Sequence, residues 1–196
     1  PSSTGGVRDL TSVTNTVHEL GALCVMAVDP LAAVLLRSAG SMGADIAIGS
    51  AQRFGVPMGG GGPHAAFMAV TENLARSMPG RVVGVSVDDA GRPALRLALQ
   101  TREQHIRRER ATSNICTAQV LLANIAGLYA CWHGSDGLRA IAERVAGFAA
   151  QTARVLANAG FSIRHAEIFD TVCVDNVDAE QVILAAQERY INIRKV

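Results

Sequence analysis

The stretch Gly43-Ala-Asp-Ile-Ala-Ile-Gly-Ser-Ala-Gln-Arg-Phe-Gly-Val-Pro-Met58, followed by the glycine run Gly59–Gly62, decides the fold. It predicts a short buried strand over Asp45–Ile48, a polar turn, a glycine loop and a further strand over Ala65–Val70. Another continuous apolar run, Leu23–Val28, lies upstream. Because these runs are continuous rather than alternating, we expect a mainly parallel sheet covered on both faces, and therefore an α/β protein.

Helices and a hairpin are predicted around this sheet. Apolar residues at helical spacing indicate a helix over Leu10–Leu20, which Gly21 ends, and a second short helix over Leu31–Arg37. Downstream, Val82–Val87 and Ala94–Leu99 flank a polar turn and predict a β-hairpin. The first part of the chain therefore alternates between helix and strand.

Long helices follow the hairpin. One is predicted from a cap at residues 112–114 to about His133, and Gly134–Gly137 separates it from a second over Leu138–Ala157. A small β-β-α-β module should then be formed by Phe161–Arg164, Thr171–Val174, a helix capped by Asp178 and Ile191–Arg194. We accordingly divide the chain into a partial large α/β domain (1–134), a connecting helix (135–160) and the start of a small C-terminal α+β domain (161–196).

Composition bounds the possible functions. The 196 residues are 49% hydrophobic with a formal net charge of +1, so no overall field favours nucleic acid or a membrane surface. No leader and no long apolar run stands out, and the arginine and alanine bias is typical of a GC-rich bacterium, so we expect a cytoplasmic bacterial protein. The four cysteines lie far apart, which argues against a metal site and favours reduced, mostly buried thiols.

Lysine is nearly missing from the chain. The only one is Lys195, and every other basic side chain except the histidines is an arginine. The polar turn in the deciding stretch instead holds Gln52, whose amide nitrogen is delocalised and cannot condense with an aldehyde. A Schiff base at this turn is therefore excluded.

Several other residues are candidates for chemistry. Asp29 ends a predicted strand, where α/β sheets place functional groups, although it could simply cap the helix that begins at Pro30. The glycines Gly59, Gly60, Gly61 and Gly62 could form a tight structural loop or contact a ligand through exposed backbone amides. His64, at the loop exit, is a stacking or acid-base candidate, or else a structural residue.

The window Thr101–Arg110 is the most charged part of the chain. Its interleaved glutamates and lack of aromatic neighbours make it a poor nucleic-acid patch. It could be a solvated helix face with ion pairs, or its arginines, among them Arg102, could bind a carboxylate or phosphate at an interface. The residues alone leave both readings open.

Five segments together resemble a known family. They are Gly49-Ser-Ala-Gln-Arg-Phe-Gly-Val-Pro-Met58, Gly61-Gly-Pro-His-Ala-Ala-Phe67, Pro79-Gly-Arg-Val-Val-Gly-Val85, Leu97-Ala-Leu-Gln-Thr-Arg-Glu-Gln-His-Ile-Arg-Arg108 and Ala111-Thr-Ser-Asn-Ile-Cys-Thr-Ala-Gln119. They resemble the P-protein of the glycine cleavage system, and the resemblance spans essentially the whole chain.

This resemblance implies a fold type I pyridoxal-phosphate-dependent transferase-like fold of the aspartate aminotransferase superfamily. P-proteins contain two related halves, and only the C-terminal half carries a His-Lys-Thr-Phe segment with the cofactor lysine. The present chain resembles a fragment of the N-terminal half, and setting Ala51-Gln-Arg-Phe54 against that segment puts Gln52 at the lysine position. Asp29 then becomes a remnant of the aspartate that pairs with the pyridine nitrogen.

The family reaction is the decarboxylation of glycine on pyridoxal phosphate, with transfer of the aminomethyl group to the lipoyl arm of the H-protein. The resemblance implies that the other half binds the cofactor, and that this chain pairs with that catalytic half as a pseudo-dimer and is inactive alone. The residues it would lend to the interface or site wall are Arg53, Gly59, Gly60, Gly61, Gly62, His64 and Arg102.

Two other functions stay open. One is an independent aminotransferase-like enzyme that uses Lys195, although this residue lies far along the chain from the glycine loop. The other is a non-catalytic module that binds an anion or a partner through the arginine window.

Overall fold

The computed structural model describes residues 1–79, 82–98, 104–111 and 119–196. The helices and strands in these ranges are α1 (Thr11–Glu19), β1 (Val25–Ala27), β2 (Ile46–Ser50), β3 (Ala66–Val70), β4 (Val82–Val87), β5 (Pro93–Ala98), α2 (Gln104–Arg107), α3 (Val120–Asn158), β6 (Ser162–Ile163), β7 (Val174–Asp175) and α4 (Ala179–Gln187). Short 3₁₀ turns lie at Ala32–Val34, Gly40–Met42, Ala51–Arg53, Glu72–Ser77 and Arg108–Arg110. Within these ranges, no helix combines the length and apolarity needed to cross a bilayer.

The sheet that carries the deciding stretch is mixed rather than mainly parallel. β1 pairs with β2 in parallel, and β2 pairs with β3 in antiparallel register. A parallel return would need a crossover packed on one face of the sheet, but the described backbone between β2 and β3 holds only one 3₁₀ turn and the glycine loop. The expectation that both faces are covered was also wrong, because Met68 on β3 is exposed.

Two predicted elements do not form. The helix expected over Leu31–Arg37 is only the 3₁₀ turn Ala32–Val34, and the segment 191–194 is not a strand. In the first case the Asp29 carboxylate caps the start of the turn, but the backbone bonds that follow, from Val34 to Leu31 and from Leu35 to Ala32, span three residues as in a 3₁₀ turn. The C-terminal module is therefore β-β-α among the described residues.

Other predictions are confirmed. The β4–β5 hairpin is antiparallel, with Val83 opposite Leu97 and Val85 opposite Leu95. The long helix α3 is interrupted at Gly134, where φ is 61° and ψ is −173°, so the predicted break between two helices is present. Glycine suits this backbone because a Cβ would be strained there.

The core consists of separate small clusters on either side of that break. Upstream of Gly134, α3 packs through Ala126 on Ala51, Val56 and Ala65. Downstream, it packs through Ala142 on Leu31, Ala32 and Phe169. The helix therefore joins the segment after β2 to the C-terminal module.

The N-terminal segment packs against the same module, which sequence reasoning did not anticipate. The Val7 amide donates to the Glu167 carbonyl at 3.0 Å, and Thr4 Oγ1 lies 2.8 Å from His165 Nε2. Gly5, with φ of 94°, lies so close to Thr171 that a Cβ would meet its carbonyl oxygen at 2.1 Å. The first residues of the chain thus form part of the environment of the module at 161–175.

Helix α1 is fixed to the sheet by Asp45. Its carboxylate accepts hydrogen bonds from the Cys24 amide and contacts His18 Nε2, both at 2.8 Å, and these contacts lower the pKa of Asp45. Among the described cysteines only Cys173 is buried; Cys131 is exposed and Cys24 half-buried, contrary to the expectation of mostly buried thiols.

Replacing Gly49 with alanine should destabilise the sheet. A Cβ at this position would meet the Val28 carbonyl oxygen at 2.3 Å and the Phe67 ring at 2.5 Å, and neither group can easily move. We expect a loss of about 1–3 kcal/mol, typical of overpacking. Thermal unfolding of Gly49→Ala measures this loss of stability. Gly84→Ala is the control, since a Cβ at Gly84 would meet its nearest neighbour at an ordinary 3.6 Å. Equal melting temperatures for the two variants would contradict the prediction.

Acid should destabilise the fold partly because it protonates the carboxylate of Asp9. Hydrogen bonds from the side chain and backbone of Thr11, aided by Arg37, lower the pKa of Asp9 from 3.8 to about 2. A carboxyl group with a lowered folded-state pKa stabilises the fold above its unfolded pKa, and this contribution is lost as the pH falls through the folded value. We expect the free energy of unfolding to decline less steeply between pH 3.8 and about 2 in Asp9→Asn than in the parent protein. Urea unfolding across this range tests it.

The control for that experiment is Glu19→Gln. Glu19 is exposed and forms no ion pair with the described residues. Its replacement should leave the pH dependence as in the parent, and an Asp9→Asn curve parallel to the Glu19→Gln curve would contradict the prediction.

Candidate functional site

An open cleft of about 1160 Å³ lies at the carboxyl ends of the parallel strands β1 and β2. Both strands end at its wall, β1 leading into Asp29 and β2 into the turn with Gln52 and Arg53. His64, in the segment between the glycine loop and β3, also lines the cleft. α/β sheets place their ligand sites at this edge, because the strand ends leave a crevice between diverging connections.

Both carboxylate oxygens of Asp29 accept hydrogen bonds from neighbouring residues. One carboxylate oxygen, Oδ1, accepts from the Leu31 amide at 2.8 Å and from the Ala32 amide at 3.3 Å. The other, Oδ2, accepts from Arg53 Nε at 2.8 Å. Asp29 thus caps the turn that follows and also binds an arginine.

Arg53 bridges two carboxylates. Besides Asp29, its guanidinium pairs with Asp170 in the C-terminal module. Partial burial lowers the pKa of Arg53, but hydrogen bonding and charge attraction from Asp170 and Asp29 outweigh it, so the pKa of Arg53 is raised overall. The guanidinium of Arg53 therefore stays charged, held between two carboxylate partners.

Gln52 lines the same cleft in the 3₁₀ turn Ala51–Arg53. Its backbone amide donates to Ser50 Oγ at 3.3 Å, and its carboxamide forms no hydrogen bond with the described part of the chain. Lys195, the only lysine, is not a lining residue and pairs with Glu180. The described lining of the cleft therefore presents an amide and an arginine engaged on both sides, but no lysine amine.

The whole chain, residues 1–196, matches the family model described as the glycine cleavage system P-protein. The chain belongs to this family. It is 58% identical over its full length to a glycine dehydrogenase (decarboxylating) of Aliivibrio salmonicida, and 57% identical over 99% of its length to that of Gluconobacter oxydans. The chain spans about a fifth of the length of these curated relatives.

Solved structures agree with this assignment. A crystal structure of glycine decarboxylase (P-protein) of the glycine cleavage system, in inhibitor-bound form, superposes with a TM-score of 0.85 and 37% identity over 96% of this chain and 44% of that one. A cysteine desulfurase from Thermococcus onnurineus, 15% identical over 97% of this chain and 46% of that one, superposes with a TM-score of 0.57 and shows the fold alone. The predicted fold type I transferase-like α/β class is confirmed.

Pyridoxal phosphate is the cofactor of this family, and the residues in the cleft do not fit it. Covalent attachment needs a lysine amine, and Gln52 offers an amide. The protonated pyridine nitrogen needs an anionic oxygen, and the Asp29 oxygen that the following turn does not use is already paired with the Arg53 guanidinium. Across the described ranges, no three His, Cys, Asp or Glu side chains cluster so that they could hold a metal ion.

The glycine loop is exposed and left-handed. Gly59, Gly60 and Gly61 have φ values of 57°, 65° and 87°, and a Cβ on Gly60 or Gly61 would meet nothing within 4 Å. The amides of Gly61 and Gly62 both donate to the Met58 carbonyl, so they do not point at a bound anion. These hydrogen bonds make the segment a tight loop, which was one of the two alternatives drawn from the sequence.

The structure brings Asp29, Gln52, Arg53 and His64 together, whereas Arg102 lies outside the described residues. Asp170 was missed by sequence reasoning. It lies 117 positions beyond Arg53 in a loop with no distinctive motif, so no local pattern indicated the contact. The only available signal was the Phe-Asp-Thr sequence, in which a buried aromatic residue directly precedes a carboxylate.

The Arg53–Asp170 pair should contribute measurably to stability. Because Asp170 is only 15% exposed, its carboxylate is poorly solvated once the guanidinium is removed. A double-mutant cycle with Arg53→Met and Asp170→Asn should give a coupling free energy of about 1 kcal/mol. Solvent limits this value, because Arg53 is partly exposed. Chemical unfolding measures it, and the exposed pair Arg92–Asp88 is the comparison cycle. Coupling no greater than in that cycle would contradict the prediction.

Proposed function

We propose that this chain is a non-catalytic segment of a glycine dehydrogenase (decarboxylating). The parent protein decarboxylates glycine and passes the aminomethyl group to the lipoyl arm of the H-protein. Pyridoxal phosphate, bound by the catalytic half, supplies the electron sink for this reaction. The observation that carries the proposal is Gln52, an amide in the cleft where the cofactor would require an amine.

The role we propose for this segment is to pair with the catalytic half and support it. Large apolar surfaces that the described chain leaves uncovered favour such pairing. They lie on two elements, helix α3 and the β4–β5 hairpin, and fully exposed apolar clusters of this kind mark protein interfaces.

The exposed apolar residues of α3 include Leu121, Leu128 and Trp132, all before the break at Gly134. Their spacings of seven and four residues place them on one face of the helix, here named the Trp132 stripe. The indole of Trp132, the only tryptophan in the chain, is 87% exposed. A different face, with Leu122 and Ala126, packs on the core. Tryptophan is strongly favoured among residues that anchor protein interfaces.

On the hairpin, one face is apolar and exposed. It carries Val83, Val85, Val87, Leu95 and Leu97, and Val85 is 81% exposed. Cross-strand pairs place Val83 beside Leu97 and Val85 beside Leu95, so the five side chains form a continuous patch. A two-stranded ribbon is marginal by itself, and a partner that covers this face would stabilise it.

The site-wall residues belong to the same proposal. Arg53, His64, Arg102 and the glycines Gly59, Gly60, Gly61 and Gly62 would border the catalytic half. The exposed glycine loop supports this for Gly59–Gly62, because a bare backbone allows another chain to approach closely. For Arg53 the support is weaker, since two carboxylates already bind it.

The alternative functions find little support among the described residues. An independent enzyme based on Lys195 would need this lysine at the cleft, but its amine pairs with Glu180. The module that binds an anion or a partner would use the arginine window, whose described residues 104–110 form the short helix α2 and a 3₁₀ turn.

Replacing Gln52 with alanine should leave cofactor binding by the full-length parent protein unchanged. The amide forms no bond that a cofactor would use, and the catalytic half retains its own lysine. The cofactor absorption band and the cofactor-to-chain ratio measure this, with circular dichroism as the folding control. Loss of the band in a folded variant would contradict the non-catalytic role of this position.

Truncating Trp132 should weaken pairing with the catalytic half. An anchor residue buried on association contributes about 2 kcal/mol or more, so Trp132→Ala should reduce affinity roughly thirty-fold. The two halves, expressed as separate polypeptides, can be titrated by calorimetry. Phe148→Ala is the matched control, because this aromatic residue lies on the same helix beyond Gly134 and Arg144 already stacks on its ring. Equal affinities for the two variants would contradict the proposed surface.

A further inference from the structure

We infer that Arg53 is a positioning residue that closes this cleft to the aldehyde cofactor by occupying Asp29, a second barrier that is independent of the missing amine. This inference rests on the proposed function, in which the cleft is the non-catalytic counterpart of a cofactor site. It adds that restoring the amine alone does not restore the site.

The geometry at Asp29 carries the inference. Asp29 lies at the end of a parallel strand, where a carboxylate can face a ligand in the crevice. Its Oδ2 atom, the oxygen not used by the following turn, accepts from Arg53 Nε at 2.8 Å. A protonated pyridine nitrogen that bonded this oxygen would share it with a guanidinium, and the positive charge beside it would weaken the new hydrogen bond.

Arg53 is also held from the opposite side, so it cannot simply swing away. Its other contact, Asp170, directly follows Phe169, whose ring is 2% exposed in the cluster with Leu31, Ala32 and Ala142. Thr171 Oγ1 donates to Asp170 at 3.0 Å, which further orients that carboxylate. Moving Arg53 out of the cleft would therefore leave two poorly exposed carboxylates without their cation.

The chain offers a direct way to separate the two barriers. Gln52→Lys supplies the amine and keeps the arginine. Gln52→Lys/Arg53→Thr supplies the amine and frees Asp29, with threonine chosen because it follows the lysine in the resembling His-Lys-Thr-Phe segment. Gln52→Lys/Arg37→Thr is the matched control, because Arg37 pairs with the exposed Asp9 away from the cleft.

The experiment uses the full-length parent protein and pyridoxal phosphate. A lysine amine condenses with the aldehyde with loss of one water, and borohydride then reduces the C=N bond to a stable secondary amine. Mass spectrometry of the peptide that contains position 52 quantifies labelling of this half separately from the catalytic half. Circular dichroism confirms that each variant is folded.

We expect the Gln52→Lys/Arg53→Thr protein to be labelled at position 52 roughly ten-fold more than Gln52→Lys at sub-saturating cofactor. Gln52→Lys/Arg37→Thr should match Gln52→Lys. A further variant, Gln52→Lys/Asp170→Asn, removes the charged contact that holds Arg53 from the opposite side, so its labelling should lie between that of Gln52→Lys and that of Gln52→Lys/Arg53→Thr. Labelling in that variant above the level of Gln52→Lys/Arg53→Thr would show that loosening of the bridge, rather than release of Asp29, governs labelling, and would overturn the inference.

Equal labelling with and without Arg53 would overturn it as well, and so would absence of labelling in the folded Gln52→Lys/Arg53→Thr protein. Neither result touches the proposed function. That function fails on a different measurement: wild-type parent protein binding more than one cofactor per catalytic half.

Discussion

The bridge from Asp29 through Arg53 to Asp170 is the interaction on which the arrangement of the chain depends. It joins three segments that are remote in sequence: the end of β1, the turn after β2 and the loop between β6 and β7. Each contributes little surface of its own, since the core is divided into small clusters. A charged bridge between partly buried groups is strongly directional, so it fixes the relative position of segments that small apolar clusters hold only loosely.

Under the proposed function, the same bridge accounts for a cleft that has the position of a cofactor site but not its chemistry. The strand ends, the turn and the glycine loop follow the pattern of the family, and the superposition on a P-protein crystal structure shows that this backbone is retained. The two backbones superpose closely although only 37% of the aligned residues are identical. An amide stands at the turn, and the aspartate at the strand end now binds within its own chain.

Sequence reasoning succeeded where the signal was local. The hairpin, the break at Gly134 and the Asp178 cap of α4 follow from residues with strong backbone preferences or capping side chains. It failed where pairing partners decide the outcome. A continuous apolar run fits a parallel and an antiparallel neighbour equally well, so the direction of β3 could not be read from Ala66–Val70.

The residues of the candidate site also separate into those with a local sequence signal and those without one. Gln52, Arg53 and His64 could be placed together because they belong to one short motif, and Asp29 because strand ends of a sheet meet at one edge. Asp170 and the contacts of the first residues with the loop at 165–171 involve separations of more than a hundred residues. No spacing rule reaches that far, and only the folded chain reveals them.

The break in α3 has a consequence for how this architecture can vary. In an unbroken helix, one inserted residue rotates every side chain beyond it by about 100°, which would turn the downstream face away from its cluster. At Gly134 the backbone leaves helical geometry, so the two halves keep independent phases. Insertions and deletions near this glycine are therefore absorbed locally, and the upstream and downstream packing faces can diverge in sequence without staying in register with each other.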